Sequence, residues 1–361
     1  MGAGANALHM TYDQRPIEVQ GKTIACSLPG GAAVDRRGAV SLAERQAAIR
    51  RVCSPLPGAA PRDNYKPVNV PGDCDGYTLM DALCRMVKNV SADTWREELA
   101  RGRVVGLDGR PMAPGQIVRG GERYRHLFPG SVEPDVSGRV EILHEDEALI
   151  VVNKPAPLPM HAGGRFYRNT LQYILNEAYK PEKPHPAHRL DANTTGLVLV
   201  TRDRRFAGRL QPQFAQGRVE KRYLVRVRGR PEADVFACDA PISARSGEMG
   251  SRTVDLEAGL AARTEFTVRE RWADGTSLLE ARPLTGRTNQ IRVHLWHLGW
   301  PVVGDPVYLP GHQLGKMQTL PLGAPPLCLH AWRIRFVHPL TRQPAEFTAP
   351  APPHLIENNS A

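Results

Sequence analysis

The chain has 361 residues, a length typical of two domains, so a peptide or a single small module is excluded. Its hydrophobic content of 41% supplies enough apolar material for a folded core, which argues against wholesale disorder. The formal net charge of +10, from 47 Lys and Arg against 37 Asp and Glu, favours a polyanionic partner, and nucleic acid is the first candidate.

The six cysteines are scattered and form no C-x-x-C pair, so the sequence predicts neither a disulfide framework nor a metal site. This usage is typical of a reducing cytoplasm. The sequence shows no secretory leader and no apolar run of bilayer length. We therefore expect a soluble, cytoplasmic monomer without a membrane partner.

Taken in chain order, residues 1–74 are rich in Pro, Gly and Ala and are predicted to be a poorly ordered or extended segment. The helical stretch within it runs from Ser41 to Val52, where Ser41 and Glu44 fit a capping box.

Residues 75–130 are predicted to form a small α/β module of two helices followed by a hairpin. The first helix opens at Thr78–Leu83, and Ser91 fits the N-cap of the second. Short strands are predicted at Gly102–Val105 and Gln116–Val118.

Residues 138–350 are predicted to form the larger domain, of the α+β class, with a mixed and mainly antiparallel sheet. Apolar or alternating runs typical of strands recur along this part of the chain, at Val140–Leu143, Ala148–Val152, Gly196–Thr201, Lys221–Arg228, Thr264–Arg269, Ser277–Arg282 and Leu329–Val337. Helical spacing is found at Thr170–Tyr179 and from Ile291 to Gly299.

The polar run His188–Gly196 lies between a Pro-rich loop and an apolar strand, a place where a scaffold can present side chains for chemistry. Asp191 is the candidate acid in this run. The alternative, in which Asp191 pairs with Arg189 or caps a turn, stays open from the residues alone.

A second run, Arg282–His294, leads from a strand into a helix and places Arg287 near the helix start, where free backbone donors and a guanidinium could hold an anion. Solvated arginines at a surface helix explain the same pattern. His294 and His297 have no evident third ligand, so packing is favoured over a metal pair.

A third run, Glu220–Val225, places Tyr223 on the apolar face of a strand within a basic stretch, Arg202–Arg230. Such a tyrosine either belongs to the core or stacks on a nucleobase.

Six ordered blocks together resemble the RluA-type pseudouridine synthases. They are VVNKPAPLPMH (151–161), HRLDANTTGLVLV (188–200), EKRYLVRVRG (220–229), PLTGRTNQIRVHL (283–295), GDPVY (304–308) and LHAWRIRF (329–336). The resemblance implies a long mixed sheet flanked by helices and loops, with RNA crossing a cleft. The module at 75–130 resembles, more loosely, an S4 RNA-binding domain.

The resemblance also implies roles for individual residues. Asp191 matches the catalytic aspartate, Tyr223 the tyrosine that stacks on the target base, and Arg287 the arginine that pairs with the catalytic carboxylate. Arg189 matches the arginine that occupies the space of the flipped nucleotide. The same comparison places further substrate-binding positions at His188, Lys221, Asn289, Gln290, Ile291 and Arg292. Asn289 stands where the usual run has His.

The implied reaction turns uridine in rRNA or tRNA into pseudouridine, and it needs neither a cofactor nor a metal because it involves no net redox change. Two other functions remain to be weighed. A protein of the same fold could bind RNA without catalysis, or the acid could serve a glycoside hydrolase, which requires a second carboxylate near Asp191.

Overall fold

The computed structural model describes residues 40–88 and 90–357, so the prediction for residues 1–39 falls outside it. The helices are α1 (Leu42–Val52), α2 (Leu79–Met86), α3 (Ala92–Ala100), α4 (Leu171–Ala178), α5 (Arg204–Ala215), α6 (Gln290–His297) and α7 (Pro353–Ile356).

The strands fall into a small and a large sheet and one further pair. They are β1 (Arg62–Asn69), β2 (Val104–Val105), β3 (Arg123–Ser131), β4 (Glu141–Glu145), β5 (Leu149–Lys154), β6 (His185–Pro186), β7 (Thr195–Thr201), β8 (Glu220–Arg228), β9 (Val235–Cys238), β10 (Thr264–Arg271), β11 (Thr276–Pro283), β12 (Tyr308–Leu309), β13 (Gln313–Leu314), β14 (Leu329–Val337) and β15 (Pro344–Thr348).

The small sheet has the order β1-β3-β2 and is antiparallel throughout. The two predicted helices, α2 and α3, are confirmed, and Ser91 caps α3 by accepting a hydrogen bond from the Thr94 amide. The predicted hairpin is wrong in its pairing, because β2 pairs with β3 while Ile117 makes only a single bridge to Thr78.

The small module also begins earlier than the predicted residue 75, since β1 is one of its strands. The sequence Arg62–Asn69 has few apolar residues and contains Pro67, so its composition gives no strand signal. Pairing with the longer β3 stabilises this strand despite its weak propensity.

In the large domain, ten of the described strands form one sheet whose main path is β4-β5-β7-β14-β8-β11-β10-β9, with β6 beside β7 and β15 beside β14. All pairs are antiparallel except β7 with β14, which confirms the mixed, mainly antiparallel sheet. At this parallel junction, Gly196 (φ +108°) lies so close to β14 that an added Cβ would stand 2.3 Å from the carbonyl oxygen of Ala331.

Helix α1 carries the predicted capping box between Ser41 and Glu44, but it packs on the large domain and is not part of an extended segment. Ile49 is fully buried in the core of that domain, and Gln46 donates to the carbonyl of Val140 and accepts from the amide of Ile142. The prediction for residues 1–74 is therefore wrong for this helix, because Ile49 joins the core of the large domain and Gln46 binds backbone groups about 95 residues away in sequence.

The chain between the two sheets is held by Glu133, which is buried. Its carboxylate accepts hydrogen bonds from the backbone amides of Tyr167, Arg168 and Asn169 at 2.8–3.0 Å. Asn169 in turn accepts from the amide of Gly58. The connection to the small module is thus fixed on the surface of the large domain. No described helix has the length and apolar character needed to cross a bilayer.

Candidate active site

Asp191 lies in the loop that leads into β7, and this loop is held from both sides. The carbonyl of Asp191 accepts from the amide of Thr194, and the carbonyl of Ala192 accepts from the amide of Leu158. Asn193 is buried and bonds the backbone of Gln318 and Leu320. The Asp191 side chain keeps 25% of its surface exposed, so its carboxylate is available to a ligand.

Arg292, in the first turn of α6, is the arginine that pairs with Asp191. One terminal nitrogen lies 3.0 Å from Asp191 Oδ2, while Nε and the other terminal nitrogen bind both oxygens of Asp305 at 2.7 and 2.8 Å. Asp305 is itself held by the amides of Val307 and Tyr308. Asp305 and Asp191 outweigh the effect of burial and raise the pKa of Arg292 above its usual value.

The predicted pairing of Arg287 with Asp191 is therefore wrong in this structure. Arg287 precedes α6, and its Nε donates to the carbonyl of Ala261 at 2.9 Å. Within the described residues it forms no ion pair with a carboxylate, although it does line the same pocket as Asp191. The physical difference is position: Arg292 is carried by the helix toward Asp191, whereas Arg287 runs along the neighbouring loop.

Tyr223 is on β8, opposite Ala281 of β11 and Ala331 of β14, and its ring packs against both large core clusters. The small neighbours leave room for the ring beside the pocket, which Tyr223 lines together with Asp191. Burial, with a smaller effect of the Asp191 charge, raises the pKa of the Tyr223 hydroxyl. The phenol therefore stays protonated and presents a neutral aromatic surface.

His188 and Lys221 belong to the wall of the pocket. His188 Nε2 accepts the amide hydrogen of Leu199, and its ring stacks on Phe214 at 4.6 Å. Burial and the nearby Lys221 ammonium lower the pKa of His188 to about 3, so the ring is neutral. Lys221 Nζ donates to the carbonyl of Thr285, and burial lowers its pKa.

The other predicted substrate-binding residues divide into two groups. Arg189 is exposed and lies at the pocket wall, where it is free to meet a ligand. Asn289, Gln290 and Ile291 also line the pocket, but the two amides are already engaged. Gln290 bonds Thr285 and Thr264, and Asn289 accepts from Arg292 and donates to the Tyr308 hydroxyl. These amides hold the site together, and their contact with substrate stays a prediction.

The pocket has a volume of about 360 Å³, within the range of small-ligand sites. Asp191 is the one carboxylate among the described residues that line it. A glycoside hydrolase needs two carboxylates flanking the bond, so the geometry does not fit that reaction. The described residues also contain no group of three metal-ligating side chains.

Three residues that complete the site were not singled out in the sequence. Asp305 and Tyr308 lie in the GDPVY block, but no role followed from their type or spacing. Lys154 is fully buried, and its Nζ donates to the carbonyls of Pro155, Leu158 and Ala192 at 2.8–3.2 Å. Burial lowers the pKa of Lys154 to about 7. An isolated buried charge is costly, so a lysine at the end of an apolar strand was the available signal.

The chain is similar to known proteins over most of its length. Residues 148–297 match the family described as RNA pseudouridylate synthase. The chain is 34% identical over 313 residues to "Ribosomal large subunit pseudouridine synthase D" of Nitrosomonas europaea, covering 82% of this chain and 87% of that protein. The family comparison gives no match to an S4 domain.

Two further relatives match mainly the large domain. "Ribosomal large subunit pseudouridine synthase C" of Haemophilus ducreyi is 36% identical over 220 residues, covering 59% of this chain and 66% of that protein. "Pseudouridylate synthase RPUSD2" of Homo sapiens is 37% identical over 185 residues, covering 51% of this chain and 33% of that protein.

Proposed function

Because the chain belongs to the RNA pseudouridine synthase family, and is thus an isomerase, we propose that it converts specific uridines of structured RNA to pseudouridine with Asp191 as the catalytic carboxylate. The observation that carries this proposal is the ion pair between Asp191 and Arg292 beside the ring of Tyr223, in a pocket that opens to solvent.

The reaction breaks the C–N glycosidic bond, turns the uracil, and forms a C–C bond between C5 and the same C1′. One proton leaves C5 and one is returned to the nitrogen, so electrons balance without an oxidant or a reductant. The site must supply a carboxylate at the ribose and walls that retain the detached base.

Asp191 suits this task because its two oxygens differ. Oδ2 is bound to Arg292, while Oδ1 accepts no hydrogen bond within the described residues, and the residue lines the pocket. Oδ1 can attack C1′ or take a proton from the sugar, and both routes place this oxygen against the ribose. Arg292 supplies the countercharge and fixes the carboxylate in one orientation.

Tyr223 provides the surface against which the uracil stacks, and its neutral phenol suits an uncharged base. The atoms of the bond to be broken are out of reach in a stacked RNA helix, so the nucleotide must flip out at a cost of about a few kcal/mol. We propose that Arg189, which is exposed at the pocket wall, fills the vacated space.

Ribosomal RNA of the large subunit is the substrate class that we propose. The support is that the relative matched over most of its length is named for the large ribosomal subunit. Mapping pseudouridine in total RNA from cells with and without this gene tests this assignment. A site lost from large-subunit rRNA supports it, and a site lost only from tRNA contradicts it.

Asp191→Asn is the variant that tests the chemistry. Because the amide keeps the shape of the carboxylate but not its charge, tritium release from C5-labelled uridine RNA should fall to background while RNA affinity stays within about threefold of wild type. The matched control is Asp239→Asn, since this aspartate is exposed in the same domain with 83% of its side-chain surface accessible. Turnover by purified Asp191→Asn would contradict the role of Asp191, and absence of turnover by wild type with tight RNA binding would favour the binding-protein alternative.

A further inference from the structure

One face of the small sheet is not covered by the helices of its module. Helices α2 and α3 pack on the side that carries Val68 and Tyr124, which are paired across β1 and β3. Side chains alternate along strands, so every second pair of this register lies on the opposite side. These pairs are Tyr65 with Leu127, Pro67 with Arg125 and Asn69 with Arg123. We call this side the open face.

Tyr65 presents an aromatic ring on the open face. It is 51% exposed, which is high for a residue of this size in a strand. The guanidinium of Arg125 lies 5.0 Å from the centre of the Tyr65 ring. An exposed ring beside a guanidinium is a combination that stacks nucleobases without regard to their sequence.

The charges of the open face are not neutralised by acids. Arg123 is exposed and Arg125 is half-buried, and within the described residues no carboxylate lies within 4.0 Å of either guanidinium. Glu122, which precedes Arg123 in the chain, accepts hydrogen bonds from the amide of Arg119 and the hydroxyl of Tyr124. Asp63 of β1 accepts a hydrogen bond from the amide of Gly130. The open face therefore offers two cations to phosphates.

On the helix side of the same module, arginines are paired with carboxylates. Arg96 pairs with Asp93, Arg101 pairs with Glu97 at 3.3 Å, and Arg103 pairs with Glu98 at 3.0 Å. Pairing with carboxylates lowers the attraction of these arginines for a polyanion. The arginines named on the helix side are thus paired with carboxylates, whereas Arg123 and Arg125 on the open face are not, within the part of the chain that the structure describes.

We infer that the open face binds a single-stranded segment of the RNA substrate, with a base stacked on Tyr65 and phosphates against Arg123 and Arg125. This inference rests on the proposed function for the identity of the partner as RNA. It assigns the binding to the sheet of the small module and not to the paired arginines on its helix side. Glu133, which follows β3 and accepts hydrogen bonds from the amides of Tyr167 and Asn169, fixes this surface relative to the large domain.

The test compares two double variants of the full chain that remove the same charge, Arg123→Ala/Arg125→Ala on the open face and Arg96→Ala/Arg101→Ala on the helix side. The probe is a fluorescein-labelled, mixed-sequence single-stranded RNA of about 20 nucleotides, and binding is followed by anisotropy at several salt concentrations. We expect the open-face variant to bind about tenfold more weakly and to lower the salt slope by about 1.4, the value for two phosphate contacts to a single strand. The helix-side variant should change affinity less than twofold. Equal losses, or a greater loss for the helix-side variant, overturn the inference.

Tyr65 gives a second test that leaves the net charge of the open face unchanged. Tyr65→Phe keeps the ring and should bind like wild type, while Tyr65→Ser should bind about tenfold more weakly because base stacking is lost. Ultraviolet crosslinking of the RNA to wild type should yield a peptide that contains Tyr65. Equal binding by both Tyr65 variants, with no such peptide, contradicts the inference even where wild type forms pseudouridine. A Tyr65 crosslink with no pseudouridine formed by wild type would instead retain the binding surface and contradict the proposed reaction.

Discussion

Asp191 and Asp305 share one guanidinium but meet it in different surroundings. The Asp305 side chain is fully buried and takes two of the nitrogens of Arg292, whereas Asp191 is one-quarter exposed and takes the third. Arg292 is therefore held in place by Asp305 before any ligand arrives. The carboxylate of Asp191 meets a fixed countercharge, and this pre-organisation avoids rearrangement during the reaction.

Arg292→Lys should lower kcat/KM about 10- to 100-fold, because an ammonium cannot bridge both aspartates as the planar guanidinium does. The matched control is Arg287→Lys, which removes a hydrogen bond to the Ala261 carbonyl and no contact with Asp191. Its kcat should stay within about threefold of wild type. Steady-state kinetics on RNA identified by mapping measures both. If the kcat of Arg287→Lys fell by more than this threefold limit, Arg287 would have the role that the family resemblance implied.

Asn289 combines a backbone and a side-chain role that two substitutions separate. It has a left-handed backbone (φ +57°), and its amide bonds Arg292 and Tyr308. Asn289→Ala and Asn289→Gly both remove the amide, so we expect the same fall in kcat. The free energy of unfolding should be about 1 kcal/mol lower for the Ala variant, because only glycine accepts this backbone without strain. Denaturant unfolding and kinetics on the same samples measure the two effects. A kcat that differs between the two variants, or that equals wild type in both, would contradict the positioning role of the amide.

How much of the site follows from sequence depends on how local each signal is. Asp191 and Tyr223 lie in short distinctive runs, and the structure brings both to one pocket, as expected. The partner of Asp191 could not be derived, since Arg287 and Arg292 lie in one block and only the direction of α6 decides which one reaches the acid. The role of Asp305 could not be predicted for the same reason, because it depends on a contact with Arg292, 13 residues away in sequence.

Among the secondary-structure elements, those with local signals were predicted best. The caps of α1 and α3 and the alternation in β8 are contained in a few residues, and all three elements form. Strand β1 has no such signal, because its conformation depends on pairing with β3, about 60 residues later. Non-local pairing also explains why the short hairpin predicted around β2 does not form.

Strands β7 and β14 approach each other closely at their junction, and Gly196 makes this approach possible. Gly196→Ala should lower the free energy of unfolding by about 3 kcal/mol, since the new methyl group meets the Ala331 backbone and the positive φ disfavours Ala. Gly208→Ala is the control: this glycine is exposed within α5 with nothing within 4 Å of an added Cβ. That change should stabilise the protein by about 1 kcal/mol. Thermal and denaturant unfolding distinguish the two, and a neutral Gly196→Ala would contradict the tight junction.

At the scale of the whole molecule, the predicted boundaries were less accurate than the predicted elements. Helix α1 packs on the large domain and β1 on the small module, although both lie in the segment that composition marked as extended. Composition averages over neighbours in sequence, while domain membership is decided by contacts such as those of Ile49 and Glu133. The chain therefore passes from the large domain to the small module and back.

Buried neutral histidines should make the whole protein sensitive to acid. The pKa of His188 is lowered to about 3 and that of His330 to about 4, both chiefly by burial, while the unfolded chain takes up protons near pH 6.5. Between these values the unfolded state binds more protons than the folded state, so the free energy of unfolding falls as pH falls below about 6.5. His188→Gln keeps an acceptor for the Leu199 amide but cannot be protonated. It should be less stable than wild type at pH 8, and the difference should shrink by about 1 kcal/mol per pH unit below pH 6. Denaturant unfolding at pH 8, 6 and 5 measures this change, and a difference that stays constant across that range would show that His188 takes up its proton equally in the folded and unfolded states.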